Sequence, residues 1–464
     1  MAWLAALLTL PFRGLTGLIR RFLGLSLPAR IAWTVGVIQF LLCLFTLLLV
    51  VISGGRLAFQ SWWTPGKGLL LILLLLVVPL FVYLAMRLWL HEEVSRWRDI
   101  EQAWKEAAAE LARQQVDIRN APLFIVLGTD GRDEEQALMQ MAPTPFVVVS
   151  APPGSAPLHV YAGHDAIFVC LSTIGHCCAV AASLARPEQK KPAAAGEAAP
   201  ARGAALTATQ RAEAYDRLTA FCERIVAVRQ PLAPINGIVV IAPLPQGGDA
   251  PDQSSVFGSA VAEDLLQMTR SFGLRAPITF CFTESTTTRG FKEVGDLLSA
   301  ADRTRAVGQA LPLGPPVTAA DVEAVTVNAY GKLSDLLGGL LSDDKAVERP
   351  TANRSIVALS CRLRTAGVES MTRIVQRSID LVTEDAGPLL AGCYLVFLSP
   401  RGAGGFFGRG FFERMLAAQG DLDWTAARLR LDRRYRLVAS LLTVTIAIAA
   451  VVTVATAAWR LFRR

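Results

Sequence analysis

Three long apolar stretches separate the chain into membrane-like and globular parts. Residues 31–53 and 437–459 each contain 23 residues without a charge, and residues 69–86 contain 18. A helix rises about 1.5 Å per residue, so about 20 apolar residues cross the hydrocarbon core of a bilayer. The pattern therefore predicts three transmembrane helices, and the first two form a hairpin. The predicted spans lie at about 31–53, 69–89 and 437–459, with the hairpin at 28–90.

Between the second and third stretches, short apolar runs alternate with segments of helical periodicity. Several runs are almost continuously apolar, as expected of strands that helices cover on both faces. This alternation predicts an α/β domain with a mostly parallel sheet. The predicted strands are Leu123–Leu127, Phe146–Ser150, His159–Tyr161, Ala166–Ser172, Gly237–Ala242, Pro277–Phe282 and Tyr394–Leu398. The predicted helices are Glu134–Met141, Thr207–Arg229, Ala260–Phe272, Asp321–Leu341 and Ile356–Glu384.

Shifts in composition place the remaining boundaries. Residues 1–27 are leucine-rich and basic, which is typical of an interfacial helix lying on a membrane. The other predicted segments are a linker helix at 91–120, the α/β domain at 121–345 with an Ala/Pro-rich linker at 186–206, a helical extension with the last strand at 346–436, and a short tail at 460–464.

Arginines beside the predicted spans indicate their orientation. Residues 1–30 carry four arginines and no acid, and residues 428–436 carry five arginines. The loop 54–68 carries only Arg56 and Lys67. Because positively charged flanks stay cytoplasmic, we expect a cytoplasmic main domain, an outer loop and an outer C-terminus. The net charge of +7 is largely explained by these flanks. It favours anionic lipid head groups and argues against nucleic acid as the partner.

The cysteines do not predict a metal site. Of the eight, several lie in apolar runs, as expected of reduced, buried thiols in a cytoplasmic domain. No CxxC pair occurs, and no zinc-binding spacing is recognisable. One group is close in sequence and could suggest a metal: His164, Cys170, His176, Cys177 and Cys178.

The run VLGTDGRDEEQ follows the first predicted strand and has the frame of a phosphate loop. Such a loop has the pattern G-x-x-x-x-G-K-[ST]. Its glycines let backbone amides converge on phosphate oxygens, its lysine neutralises the phosphates, and its hydroxyl binds Mg²⁺. With Gly128 as the first glycine, Asp133 stands at the second, Glu134 at the lysine and Glu135 at the hydroxyl. Gly131 remains available for the turn.

The three carboxylates favour a vestigial phosphate loop over a working one. At ~4 Å and an effective dielectric of ~20, each like-charge pair with a triphosphate costs about 4 kcal/mol. The alternative is an ordinary helix start, since Asp and Glu suit the positive end of a helix dipole. We expect Asp133, Glu134 and Glu135 to open a helix and to repel a nucleotide.

Two further elements lack the ionic groups that nucleotide hydrolysis needs. Ser172 and Thr173 end the fourth strand, where hydrolases place an aspartate that supports Mg²⁺. Thr283 and Glu284 stand where guanine readers carry an Asn/Thr-Lys-x-Asp element. The α/β domain is therefore interpreted as P-loop-NTPase-like but degenerate, with no catalytic residue, cofactor or metal. Ser/His/Asp catalysis is not indicated, because all four histidines fall between residues 91 and 176.

Several segments resemble the TssM/IcmF-like inner-membrane component of type VI secretion systems. The similar segments are Ala121–Gly128, Arg229–Val240 with its Ile235-Asn-Gly237 turn, Phe272–Thr283 with Gly290-Phe291, Gly392–Ser399, and Phe411-Phe412 before the arginine-rich lead into the last span. The resemblance covers roughly residues 28–460. The phosphate loop departs from the family pattern, so we expect a degenerate Walker A loop. We also expect a short form that ends after the third span without the periplasmic domain of the family.

The resemblance implies a multi-pass protein of the bacterial inner membrane with a cytoplasmic main domain and a periplasmic C-terminus. Its implied role is an assembly scaffold without nucleotide hydrolysis, in a homo- or hetero-oligomer with a DotU/TssL-like membrane partner and baseplate proteins. Two alternatives stay open. One is a membrane-anchored nucleotide-binding switch or NTPase with an atypical phosphate loop, and the other is a regulatory membrane protein unrelated to secretion.

Overall fold

The chain forms two compact units, which are described separately. One comprises Met1–Arg96 with Arg433–Arg464, and the other comprises Trp97–Asp432. The computed structural model describes residues 29–45, 65–91, 96–129, 131–185, 206–244, 250–343, 348–380, 387–399, 405–437 and 440.

The first unit contains a pair of contacting helices, α1 (residues 29–45) and α2 (Pro65–His91). Gln39 Nε2 donates to the carbonyl of Leu74 across 3.2 Å. A Cβ atom on Gly36 would lie 3.2 Å from Cγ of Pro79, so the two backbones approach closely there. The hairpin of two packed helices follows from this contact.

Within the described ranges, no helix has both the length and the apolar character needed to cross a membrane. The three predicted transmembrane helices are therefore not supported by these ranges. The first predicted span is described only as far as residue 45, and almost all of 437–459 lies outside the described residues. The predicted segments 1–27 and 460–464 lie outside them as well.

An eight-stranded sheet organises the second unit, and it confirms the predicted α/β class. Its spatial order is β2-β3-β4-β1-β5-β7-β9-β8. The five strands from β4 to β9 pair in parallel, whereas β2, β3 and β8 pair antiparallel at the two sides. The strands are β1 (Leu123–Leu127), β2 (Val148–Ala151), β3 (Leu158–Ala162), β4 (Ile167–Leu171), β5 (Gly237–Pro243), β6 (Leu274–Arg275), β7 (Pro277–Ser285), β8 (Gly308–Ala310), β9 (Leu389–Leu398) and β10 (Asp423–Trp424). Strands β6 and β10 form a separate antiparallel pair.

Helices cover both faces of this sheet, as the buried strands require. The helices of this unit are α3 (Arg98–Arg113), α4 (Arg132–Met139), α5 (His176–Ala185), α6 (Ala208–Arg229), α7 (Ala250–Phe272), α8 (Phe291–Leu297), α9 (Ala300–Arg303), α10 (Ala319–Leu341), α11 (Pro350–Arg362), α12 (Val368–Asp380) and α13 (Gly408–Ala417). A further, largely exposed helix at residues 426–437 begins in this unit. Thr207 and Thr318 cap α6 and α10, since each side chain accepts from the amide three residues later.

Three features of this unit differ from the sequence prediction. The helix expected at Ile356–Glu384 is divided by a π-helical turn at Leu363–Gly367. Strand β9 begins five residues before the predicted Tyr394–Leu398, and it lies between β7 and β8. The strands of two or three residues were not predicted, because so short a run shows no periodicity. The Ala/Pro-rich linker lies outside the described residues except for Leu206.

The two faces of the sheet are packed unequally. Helices α4 and α13 cover one face, where Phe168 stacks on Phe124 at 5.3 Å and meets Phe412 edge-on at 5.5 Å between ring centroids. The other face carries the larger core under α3, α5, α6, α7 and the α10–α12 group. Short α4 has only 8 residues, so the first face has less helical cover.

Arg229 and Asn236 fasten the amino-terminal end of the sheet. The buried guanidinium of Arg229 donates to the carbonyls of Ala233 (3.0 Å), Ile118 (2.6 Å) and Ala121 (2.7 Å). Asn236 Oδ1 accepts from the Leu123 amide at 3.0 Å and from Arg229 Nη2 at 3.3 Å. These bonds join the end of α6 to the starts of β1 and β5, which gives the Ile235-Asn-Gly237 turn a structural role.

Arg229→Met should lower the free energy of unfolding of the full chain by at least about 3 kcal/mol. The change leaves three carbonyls in a buried site without their charged donor, and such hydrogen bonds contribute about 1.5–3 kcal/mol each. The measurement is denaturant unfolding followed by far-UV circular dichroism. Arg409→Met is the matched control. It removes only an exposed pair with Glu413, so a loss of about 0.5 kcal/mol or less is expected. Equal losses of unfolding free energy in the two variants would show that the Arg229 hydrogen bonds do not stabilise this end of the sheet.

Candidate functional site

The candidate site lies at the carboxyl ends of the parallel strands, beside β1. The chain leaves β1 through α4 to build β2, β3 and β4 on one side, and it later places β5 on the other side. Open α/β sheets bind ligands in the crevice at such a switch of direction. The predicted phosphate loop connects β1 to α4 at this point.

The loop backbone has the tight geometry that the sequence predicted, but its first amide is already bonded. Gly128 has a φ of +83°, and a Cβ there would lie 2.2 Å from the carbonyl oxygen of Ile241. Only glycine fits this approach. The Gly128 amide donates to Cys178 Sγ at 3.4 Å, within the protein. Gly131 has a φ of +149° and directly precedes α4.

Glu135 is fully buried and its carboxylate is bonded on both oxygens. Ser172 Oγ donates to Oε1 at 2.7 Å, and Thr129 Oγ1 lies within hydrogen-bonding distance of the same oxygen at 3.1 Å. The other oxygen, Oε2, lies 2.9 Å from His159 Nδ1. The loop after β1, strand β3 and the end of β4 are thereby joined through one side chain of α4.

His159 is held in a setting that favours the imidazolium. Its Nδ1 faces the carboxylate of Glu135, and its Nε2 lies 3.0 Å from the carbonyl oxygen of Gly154. Both ring nitrogens therefore face acceptors, which only the doubly protonated ring satisfies. Burial opposes the charge, but the hydrogen bond and charge of Glu135 outweigh it and raise the pKa of His159.

The other predicted site residues occupy separate positions. Glu134 extends towards β7, where its Oε1 accepts from Thr283 Oγ1 at 2.9 Å. Glu284 accepts locally from the Ser285 amide and from Thr288 Oγ1, each at 3.0 Å.

Asp133 and Thr173 are exposed. The three acids therefore do not line one surface: Asp133 faces solvent, Glu134 bonds to Thr283, and Glu135 points into the core. The helix start predicted for them is observed.

The grouping of a serine, a histidine and a glutamate does not form a nucleophilic triad. Ser172 donates to Glu135, and its Oγ lies 3.3 Å from the same His159 nitrogen that faces the carboxylate. The second nitrogen is engaged by Gly154. A triad requires the base to accept from the serine while its other nitrogen bonds the acid. The arrangement can hold three elements together, but it cannot activate the hydroxyl.

The sequence group that could suggest a metal is dispersed into separate environments. Among the described residues, no cluster of histidine, cysteine and carboxylate side chains could hold a metal ion. His176 Nδ1 lies 2.7 Å from Glu263, and the His176 and Cys177 amides donate to buried Asp264 at 2.9 and 2.8 Å. Burial raises the pKa of the Cys170 and Cys177 thiols. These thiols are therefore poor metal ligands at neutral pH.

The family comparison concerns the part of the domain that follows this site. A family model of the IcmF-related N-terminal domain matches residues 211–403, from within α6 to the end of β9. Residues 211–403 are thus similar to the IcmF-related N-terminal domain, which supports the resemblance to IcmF/TssM-like proteins. No curated protein and no solved structure gives a significant match to the chain.

The matched range of the IcmF-related domain contains Arg229 and Asn236 at the amino-terminal end of the sheet. It excludes the hydrogen bonds of Glu135 with Thr129, His159 and Ser172, called here the Glu135 network. His159 was missed as a site residue by sequence reasoning. One feature of the sequence could have indicated it: His159 stands among apolar residues in a predicted strand. A histidine buried in a sheet that is covered on both sides needs a polar partner. The sequence distance of 24 residues to Glu135 hides that partner.

His159 should make the stability of the protein depend on pH near neutrality. A raised folded-state pKa stabilises the fold fully below the unfolded-state pKa of about 6.5, and this contribution is lost as pH rises through the folded-state pKa. His159→Asn keeps an N–H group near Glu135 but removes the titration. We expect denaturant unfolding of the variant to show a flatter pH profile than that of the original protein.

His164→Asn is the matched control for this measurement, because His164 is exposed. Its profile should follow that of the unchanged chain. A profile that is flattened equally by both substitutions would show that the Glu135–His159 pair is not responsible.

Proposed function

We propose that this IcmF/TssM-like protein is a membrane-anchored scaffold of a type VI secretion-like apparatus and that it does not hydrolyse nucleotides. The observation that carries the second part is the Glu135 network. A protein carboxylate occupies the switch point beside β1, and its donors come from the three elements that would surround a phosphate. The match of residues 211–403 to the IcmF-related N-terminal domain supports the first part.

Charge and geometry both argue against a triphosphate at this loop. A ligand would have to compete with Cys178 for the Gly128 amide, and it would approach Glu134 and Asp133 with like charge. No cation replaces the phosphate-loop lysine at position 134. Arg132, the nearest cation in sequence, donates through Nε to Ser150 Oγ at 2.9 Å. Hydrolysis needs positioning and charge neutralisation of the γ-phosphate, and these residues supply neither.

The membrane part of the proposal rests on the three apolar stretches and on the resemblance. We propose a multi-pass protein of the bacterial inner membrane, with Trp97–Asp432 in the cytoplasm and the C-terminus in the periplasm. A DotU/TssL-like membrane protein and baseplate proteins are the proposed partners, in a homo- or hetero-oligomer. The α/β unit would offer surfaces to these partners and would perform no chemistry.

Nucleotide binding to the purified full chain tests the absence of hydrolysis. With ATP or GTP and Mg²⁺, isothermal titration should show no saturable binding up to about 1 mM, which corresponds to about −4 kcal/mol. Glu134→Lys restores the cation at a partly buried position and leaves the Glu135 network intact. We expect it to bind no better, because the loop amide and the switch point stay engaged.

Restoring Gly, Lys and Thr together at positions 133–135 provides a second arm. This triple variant removes the carboxylate that His159 and Ser172 need, so it should lose stability without gaining affinity. Micromolar binding to the unchanged chain or to Glu134→Lys would instead favour a nucleotide-dependent switch.

Alkaline carbonate extraction of native membranes tests the anchoring. The full chain should stay in the membrane pellet and should be released by detergent, because apolar spans resist a charge-disrupting wash. Affinity purification from the same detergent extract should recover a DotU/TssL-like protein. Release of the chain by carbonate would contradict the anchoring, and recovery of no secretion-type partner would favour a regulatory role.

A further inference from the structure

The last turns of the helix at residues 426–437 carry a cluster of exposed arginines. Arg433, Arg434 and Arg436 lie within four residues, and every residue from 427 to 437 is exposed. Within the described part of the chain, the side chains of Arg433 and Arg434 have no hydrogen-bond or ion-pair partner. These two guanidinium groups are therefore available to an external anion, with Arg436 beside them.

Exposed apolar side chains stand among these cations. Tyr435 and Leu437 are 67% and 65% exposed. Leu437 follows Arg433 by four residues and Arg434 by three, so the three side chains are neighbours on the helix surface. A partner that offered only negative charge would pair with the arginines but leave the leucine and the tyrosine ring in water. The surface therefore fits a partner that presents anionic groups next to an apolar layer.

The cluster belongs to the unit that contains the helical hairpin. Arg433–Arg464 form one compact unit with Met1–Arg96, which includes α1 and α2. Leu437 is also the first residue of the uncharged stretch 437–459. The rise of a helix places Arg433 about 6 Å before Leu437 along the axis. The polar head-group layer on each side of a bilayer is about 5–8 Å thick, so a span that began at Leu437 would place all three arginines within this layer.

We propose that Arg433, Arg434 and Arg436 bind the phosphodiester head groups of anionic phospholipids, while Tyr435 and Leu437 contact the border of the hydrocarbon layer. Guanidinium groups pair with phosphate oxygens through charge-assisted hydrogen bonds. The apolar stems of arginine can lie along lipid while the charged ends stay among the head groups, and tyrosine is typical of this boundary.

The lipid binding rests on the proposed function only through the membrane anchoring. It requires neither a nucleotide nor a secretion partner. A nucleic acid offers the same phosphodiester chemistry without an apolar layer, and it is therefore the competing ligand in the experiment. Since each arginine near an anionic surface strengthens binding by about fivefold, three of them give a lipid preference that is large enough to measure.

A fluorescent label at position 435 tests the contact locally. Six of the eight cysteines are buried, so a Cys43→Ala, Cys361→Ser background leaves Tyr435→Cys as the accessible thiol. The labelled full chain is reconstituted into vesicles of phosphatidylcholine and phosphatidylglycerol, with bromine on the chains of one lipid at a time. At equal mole fractions, brominated phosphatidylglycerol should quench the label more strongly, because it is enriched beside the arginines.

Replacement of the three arginines should remove this preference. In the Arg433→Gln, Arg434→Gln, Arg436→Gln variant, the two brominated lipids should quench equally. Lysines at the same positions should keep most of the preference, since the attraction to the surface depends mainly on charge. The matched control removes three exposed arginines of the α/β unit and should keep it fully: Arg119→Gln, Arg354→Gln and Arg364→Gln.

Salt gives a second readout that needs no arginine variant. At about 1 M salt the Debye length is about 3 Å, so the preference of the labelled chain for phosphatidylglycerol should fall by at least about fivefold. If the glutamine variant does not fold, this series decides, and a preference that high salt leaves unchanged would overturn the proposal.

Equal quenching by the two lipids in the chain with all its arginines would overturn the head-group contact, as would a preference that survives in the glutamine variant. Duplex DNA that binds the detergent-purified chain as tightly as phosphatidylglycerol, and only when these arginines are present, would overturn the choice of a lipid. A chain that stays in the carbonate-washed membrane without any lipid preference would contradict this inference and leave the anchoring intact.

Discussion

The structure of the α/β unit depends on satisfying one buried carboxylate. Glu135 is completely enclosed, and an unpaired charge in such a site costs several kcal/mol. Three donors meet this cost, one from the loop after β1, one from β3 and one from the end of β4. Because the donors come from three different elements, the carboxylate joins the ends of β1 and β4 to β3. Removing any donor would leave the others around a poorly compensated anion.

The hydrogen bonds around Glu135 also bear on the proposed scaffold role. In nucleotide-dependent switches, a bound phosphate and its metal hold loops that relax after hydrolysis. Here side chains of the chain itself join the corresponding strand ends, so the order of these loops requires no ligand. This order is compatible with the proposed role as a scaffold. The opposite end of the sheet is fastened in a similar way, since Arg229 and Asn236 bind backbone carbonyls and an amide through buried polar groups.

Much of the fold could be predicted from local pattern, whereas the site could not. Apolar runs such as Leu123–Leu127 and Pro277–Phe282 are buried strands because continuous hydrophobicity requires cover on both faces. The acids at 133–135 were correctly expected to open a helix, which is a local effect. Their different environments depend on partners far along the chain, Ser172 for Glu135 and Thr283 for Glu134, and no periodicity reports such pairs. The π-helical turn at Leu363–Gly367 could not be predicted for a related reason, since one inserted residue leaves the apolar pattern helical.

The buried network and the open edge of the sheet are connected through β3. His159 lies on β3, which pairs along its length with β4 and, through Val160 and Ala162, with β2. Arg132, three residues before Glu135 on α4, holds Ser150 at the end of β2. The elements that enclose the carboxylate therefore also set the shape and length of the edge strand. Strand β2 is short and contains a bulge, and the prolines at its ends oppose further growth of the sheet at this edge. Charge compensation around Glu135 thus orders the strands on this side of the sheet as far as its edge.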